Sequence, residues 1–218
     1  MLSHTEENYL KALLHLTSED AGKAEAGTNE LATHLNVKPA TVNDMLKKLK
    51  EKKLISYEKY GKISLTTSGK KMAVDVLRKH RLWETFLYEK LDFTWDEVHE
   101  IAEQLEHIQS AKLIEKLDQY LGFPEYDPHG DVIPNAKGIL KLEPRKKLSE
   151  INVGKVCRMV AVKDNTAPFL KYVVKLGLGI SSKIKVVNRQ EYDAMMEIEV
   201  GNQKHSVSQK FAENIFVV

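Results

Sequence analysis

The sequence predicts a mostly α chain that opens with a winged helix-turn-helix, continues as a helical domain and ends in a small β-barrel. Three observations lead there. Apolar residues recur at helical spacing through roughly the first 120 positions, a sharp reversal of charge divides that stretch in two, and short β-rich runs take over beyond residue 150. At 218 residues, 42% hydrophobic and 29% charged, the chain is long enough for two or three small domains. The division read from these changes is residues 1–72, residues 73–140, a linker over 141–150 and a last domain over 151–218. The longest apolar runs span a few residues, and "MLSHTEENYLKALLHL" enters an amphipathic pattern at once. The expectation is therefore a cytoplasmic protein with no membrane partner. A single cysteine, Cys157, excludes an internal disulfide framework and a thiolate-rich zinc site, so any metal is held by N and O.

Residues 28–81 hold 13 Lys/Arg against 5 Asp/Glu, net +8, whereas residues 82–131 hold 3 against 13, net −10. The first block suits polyanions and the second cations, although a charge run is more often a solvated face. Within the basic block, "TNELATHLNVKPATVNDMLKKLKEKKLI" has Thr28 as the N-cap of a short helix burying Leu31 and Leu35. A turn over Asn36 to Pro39 follows, then a helix burying Val42, Leu46 and Leu49. This is helix-turn-helix spacing. At about 100° per residue, Ala40, Asn43, Asp44 and Lys47 lie opposite the apolar stripe, with small side chains where a helix enters the major groove and cations where phosphates run. Lys38, Pro39, Thr41 and Lys48 belong to the same surface. "LISYEKYGKISLT" reads as two strands around Tyr60-Gly61-Lys62, a wing whose tip carries Lys59 and Lys62. Helix, turn, helix and hairpin predict a double-stranded DNA partner.

The acidic block reads as two helices. "TSGKKMAVDVLRKHRLWETFLYEKL" sets Met72, Val76, Leu82, Phe86 and Leu87 in approximate helical register. "TWDEVHEIAEQLEHIQSAKLIEKLDQYL" resumes after a break at Asp92 to Thr94. On the second helix His99, Glu103 and Glu106 fall within about 60° of arc, with His107 at its edge. On the first, His80 and Glu84 are one turn apart. Five or six N and O donors on two adjacent helices suit a divalent ion of moderate hardness, against the ordinary alternative of a wet helix face. Met45, Met72, Met195 and Met196 read as core, and His4, His15, His34 and His205 as surface or packed histidines.

These stretches together resemble the diphtheria toxin repressor family of iron- and manganese-dependent transcriptional regulators. "TEENYLKALLHL" is similar to its first helix and "NVKPATVNDMLKKLKEKKLISYEKYGKISLTTSGKKMA" to its winged helix. "RKHRLWETFL" and "VHEIAEQLEHIQS" are similar to its metal-binding and dimerisation helices, and "DPHGDVIP" to the turn beyond them. The resemblance implies one metal site at Asn8, Glu103, Glu106 and His107, with Glu6 or Glu7 as the alternative to Asn8. Lys11 stands where some manganese-sensing members have a carboxylate. It implies a second site at His80, Glu84 and His99, joined in some members by residues matching Asp127 and His129, with Asp164 of the last domain as one more carboxylate. Asp127-Pro128-His129-Gly130 also has ordinary turn chemistry.

Beyond "DVIPNAKGILKLEPRKK", which reads as a linker, "KVCRMVAV", "KIKVVNRQ", "AMMEIEVG" and "FAENIFVV" are short β-rich runs, interrupted by the helical "PFLKYVVKLG". The resemblance makes this an SH3-like domain similar to the FeoA ferrous-transport module. What it implies as a whole is a homodimeric repressor that binds palindromic operator DNA when loaded with Mn²⁺, or alternatively Fe²⁺, and controls metal-uptake genes. Mn²⁺ is favoured because Glu103 and Asn8 stand where iron-tuned members carry Cys or Met. Two rivals remain at this point: a metal-dependent hydrolase, which lacks an H-E-x-x-H helix or a phosphate-cradling loop, and a winged-helix regulator with an organic effector.

Overall fold

A computed structural model describes residues 2–17, 23–57, 62–140 and 144–218. The chain divides into two compact units. Unit 1 comprises Met1–His80, Leu105–Gln109 and Pro134–Ile139; unit 2 comprises Arg81–Gln104, Ser110–Ile133 and Leu140–Val218.

Unit 1 begins with α1 (His4–Leu16), whose first turn is closed by a capping box: Ser3 Oγ accepts from the Glu6 N–H, and Glu6 Oε2 accepts from the Ser3 N–H. Its apolar face, Leu10 and Leu13, is fully buried. Helices α2 (Thr28–His34) and α3 (Pro39–Glu51) follow. The N-cap of α2 is Gly27 rather than Thr28, with Glu30 closing the turn on the Gly27 N–H. Asn36 takes the left-handed backbone of the intervening turn (φ 53°), which asparagine tolerates better than most residues. Pro39 at the first position of α3 gives up an N–H that the helix does not need there. Val42, Leu46 and Leu49 are fully buried, as the spacing predicts, while Lys38, Pro39, Ala40, Thr41, Asp44, Lys47 and Lys48 are exposed. Strands β1 (Ile55–Tyr57) and β2 (Ile63–Leu65) pair antiparallel, and Ala26 adds a bridge to Ile63. The wing tip, and Lys59 with it, lies outside the described residues.

Helix α4 (Thr67–Lys90) is a continuous helix of 24 residues. Near its start Gly69 lies against the wing: a Cβ there would meet the Leu54 carbonyl oxygen at 1.9 Å. The second predicted helix breaks in two, α5 (Val98–Leu105) and α6 (Ala111–Tyr120). Ser110 causes the restart, its Oγ accepting from the Leu113 N–H. Glu106 and His107 therefore sit in a turn, and the arc drawn for them on a helix does not apply.

The last part of unit 2 is a six-stranded antiparallel sheet. Its strands are β3 (Lys146–Lys147), β4 (Val156–Val162), β5 (Lys183–Arg189), β6 (Met196–Val200), β7 (Gln203–Val207) and β8 (Ile215–Val217), in the order β3-β8-β4-β5-β6-β7. Among the described residues no pairing joins the two outer strands, so the sheet is open where a barrel was expected. Helices α7 (Ala167–Lys175) and α8 (Gln209–Glu213) cover it; α8 takes up the front half of "FAENIFVV". Strand β7 escaped notice because only Val207 of its five residues is buried. The core gathers Leu148, Met159, Leu170, Ile184, Ile198 and Val217, and Trp95 joins it from the turn before α5. The stretch read as a linker thus becomes structure at Lys146, which pairs with β8, and Leu148 is fully buried. Of the methionines read as core, Met196 is buried, while Met72 and Met195 are exposed.

Candidate metal centre

The turn after α6 builds the centre of unit 2. Asp127 Oδ1 accepts from the backbone N–H groups of His129 (2.8 Å) and Asp131 (2.9 Å), an Asx turn that leaves Oδ2 to face the side chains. Gly130 takes φ 84° and presses against β4, where a Cβ would lie 1.8 Å from the Val160 carbonyl oxygen. The Val162 N–H donates to the His129 carbonyl (3.1 Å), fastening the turn to the same strand.

His129 is fully buried and oriented on both sides. Its Nε2 lies 2.9 Å from the Trp95 carbonyl and donates to it, and the Trp95 ring stacks on the imidazole with centroids 5.4 Å apart. Nδ1 is then the nitrogen turned inward, 3.6 Å from Glu84 Oε2 and without a hydrogen bond. Glu84, on α4 and 1% exposed, also faces His99, with Oε1 3.1 Å from His99 Nδ1. Donor atoms of Glu84, Asp127 and His129 all lie within 4.8 Å of one another.

Charge in this cluster is unbalanced. Arg81 is 3.5 Å from Asp127 Oδ2 and 3.4 Å from Asp131 Oδ2, and Arg145 lies 3.5 Å from Asp131 Oδ1, so two guanidiniums stand among the three carboxylates of Glu84, Asp127 and Asp131. Burial, then the charges of Asp131 and Glu84, push Asp127 up to about 7 against the pull of Arg81 and His129. Burial alone would lower His129, but Glu84 and Asp127 carry it up to about 9. Both shifts say that positive charge is wanted here. The donor set fits a divalent cation: N and O only, buried, convergent, and with the histidine's other nitrogen held by a backbone carbonyl.

His99 is half-buried and its Nε2 lies 3.6 Å from Glu103, whose side chain is 53% exposed. Asp164 is half-buried, its Oδ1 accepting from the Thr166 N–H just ahead of α7, and it joins no group of three donors among the described residues. Arg81, Trp95 and Asp131 were not anticipated; an arginine one position after His80 and a second aspartate after "DPHG" were the available signals.

Of the set expected at Asn8, Glu103, Glu106 and His107, Glu103 falls in unit 2 and the other three in unit 1. Asn8 is exposed on α1, while its neighbour Glu7 is buried with Oε2 2.6 Å from His107 Nδ1. Glu106 is fully buried and accepts from His80 Nδ1 (2.5 Å) and Lys11 Nζ (2.7 Å). Gln109 Nε2 donates to Glu7 Oε1 (2.7 Å), and the His4 ring stacks on His107 at 4.4 Å. Within unit 2, Glu103 lies beside His99.

On the candidate DNA face, Asn43 is half-buried and its Oδ1 accepts from the Tyr57 hydroxyl of β1 (3.1 Å). Asp44 pairs with Lys47 on the helix surface (3.1 Å), which answers why an acid sits beside the cations. Lys62 is 75% exposed beside Glu25.

Comparisons with known proteins bear on both regions. The model for the iron dependent repressor N-terminal DNA binding domain matches residues 1–63. That for the iron dependent repressor metal binding and dimerisation domain matches residues 66–135, and the FeoA domain model matches 146–218. A solved manganese-dependent transcriptional repressor in complex with manganese is 32% identical, covers 98% of this chain and 99% of its own, and superposes with a TM-score of 0.88. The iron-dependent repressor IdeR of Mycobacterium leprae is 27% identical over all of this chain and 89% of its own length. A probable metal transport system membrane protein of Chlamydia trachomatis is 46% identical over 71 residues, of which the chain spans 16% of the protein's length. No described helix of this chain is long and apolar enough to cross a membrane. With DNA-binding, metal-binding and FeoA segments matched in order along its length, the chain belongs to the iron-dependent repressor family, that of the diphtheria toxin repressor.

Proposed function

We propose that this chain is a metal-activated transcriptional repressor that binds palindromic operator DNA as a homodimer and responds to Mn²⁺. The observation that carries the metal dependence is the buried, convergent and under-neutralised set Glu84, Asp127 and His129. His99 extends it on the Glu84 side, and His80 precedes Glu84 by one turn of α4. Bound there, a dication would add to the charge that Arg81 and Arg145 bring to the carboxylates of Glu84, Asp127 and Asp131. Glu84 then holds α4 to the 127–131 turn, Asp127 presents Oδ2, and His129 presents Nδ1 while Trp95 keeps its ring from turning. Because α4 starts two residues beyond the wing, ordering it restricts how the DNA-binding segment is presented, and fewer conformations remain to be excluded on binding. An all-N/O donor set favours the harder Mn²⁺; Fe²⁺ is the comparison ion.

Lys38, Lys47 and Lys48 contact phosphates, with Lys59 and Lys62 of the wing in the same role. Pro39, Ala40, Thr41, Asn43 and Asp44 lie where a helix meets base edges. For the homodimer, the exposed apolar side chains of and after α6, Leu113, Tyr120 and Phe123, offer the contact between copies. The C-terminal sheet is read as an SH3-like module. The family is one of repressors, which sets the hydrolase reading aside.

The test is operator selection from fragmented genomic DNA with Mn²⁺, with Fe²⁺ and with chelator. The expected result is two chains bound per palindrome with Mn²⁺ and none with chelator; selection that ignores the chelator points to an organic effector.

A further inference from the structure

Unit 1 holds a second polar cluster whose carboxylates already have partners from the chain. Helix α1 projects an anion and a cation at residues 106–109: Glu7 meets His107 at 2.6 Å and Gln109 at 2.7 Å, while Lys11 Nζ lies 2.7 Å from each oxygen of Glu106. His80 Nδ1 closes on the same carboxylate at 2.5 Å. The Glu106 carboxylate has no solvent exposure and the Lys11 side chain 18%, so this is an enclosed pair and not a surface one. Burial alone would raise the Glu106 carboxyl, yet it is lowered, by the His80 hydrogen bond and the Lys11 charge. Asn8, the uncharged residue one position beyond Glu7, is exposed.

We propose that the Lys11 ammonium occupies the place of a cation at Glu106, so that α1 is tied to residues 106–109 by the chain's own charges and not by a metal ion. A dication at Glu106 has to compete with the ammonium already on its oxygens, because two cations at contact distance of one buried carboxylate repel each other strongly. Here His107 Nδ1 is held by Glu7 and Glu106 Oε2 by Lys11 and His80, so what is left toward an ion is His107 Nε2, 3.9 Å from Glu106 Oε1, with the Lys11 ammonium 2.7 Å from that same oxygen. The metal response then belongs to the donors around Glu84. The inference rests on the proposed function only for the choice of Mn²⁺ as probe.

Lysine acetylation of the full-length wild-type chain, read peptide by peptide by mass spectrometry, tests it without a variant. The exposed Lys47 and Lys48 serve as rate references. Expected is slow labelling of Lys11 in metal-free protein and no change at saturating Mn²⁺. Labelling of Lys11 as fast as Lys47, or faster labelling once Mn²⁺ is added, overturns the proposal, the second because it shows the ammonium expelled by the ion. Equilibrium dialysis gives an independent readout: His107→Gln and Glu7→Gln keep the wild-type number of Mn²⁺ per chain, and loss of one ion in either overturns the proposal. Failure of the functional reading looks different, as wild-type protein that takes up no Mn²⁺ while Lys11 stays protected.

Discussion

The two buried clusters use the same residue types, Glu, His and one cation, and differ in how their charge is settled. Around Glu106 each carboxylate has its counter-group from the chain: Lys11 and His80 for Glu106, His107 and Gln109 for Glu7. Around Glu84, Arg145 reaches only Asp131, Arg81 alone reaches Asp127, and Asp127 is driven up to about 7. A cluster that balances itself contributes to folding and is insensitive to ions. One left short of positive charge gives up stability on its own and regains it when a cation arrives. Residue type therefore does not identify a metal site; what already stands on the carboxylate oxygens, a lysine ammonium at Glu106 and, among the described residues, none at Glu84, does.

The sharpest way to break this contrast is Glu84→Gln, which removes a ligand and one of the three carboxylate charges. Mn²⁺ affinity should fall at least about 100-fold by calorimetry, with operator binding lost at the same Mn²⁺ concentration. Unchanged affinity would move the centre elsewhere. Gly130→Ala comes next. Its Cβ would collide with the Val160 carbonyl in a left-handed backbone, so the 127–131 turn must shift. About 2–3 kcal/mol of stability should be lost in denaturant titration, together with Mn²⁺ affinity. Arg81→Lys tests the balance itself, since lysine keeps the charge and loses the planar fork that spans Asp127 and Asp131. A change in Mn²⁺ affinity of about tenfold is expected, without loss of sites. The smallest effect belongs far from either cluster. Lys47→Ala should weaken operator binding severalfold across sequences and flatten its salt dependence by about one unit of slope, by the same factor at every saturating Mn²⁺ concentration. A salt slope that does not change would remove Lys47 from the phosphate-contacting set.

Much of the fold was legible because its elements announce themselves locally. The stripe Val42, Leu46 and Leu49 marks α3 by period alone, and "LNVKPA" marks the turn before it through Asn36 and Pro39. The break at Glu106 was not legible. "EQLEHIQSAKL" is helical in propensity throughout, and what ends α5 is the tertiary demand that Glu106 and His107 turn inward, with Ser110 capping the restart. Strand β7 was missed for the opposite reason: "QKHSV" lies at the sheet's outer edge, and its ladder to β6 supplies what its side chains do not.

By itself the sequence determined which residue types are present and in what order: a basic helix-turn-helix and wing, an acidic helical block rich in Glu and His, one lone cysteine, and a β-rich tail. Periodicity, turn chemistry and composition act over a few residues, so a reader of the chain recovers them. Only the tertiary structure decided the partners. Asn8 and Glu7 are adjacent in sequence, yet α1 turns the amide to solvent and the carboxylate to His107 a hundred positions away. Asp127 and His129 are ordinary turn residues until Glu84, 43 and 45 positions earlier, is packed against them with too little positive charge nearby. Charge balance is a sum over neighbours in space, and spacing along the chain does not carry it.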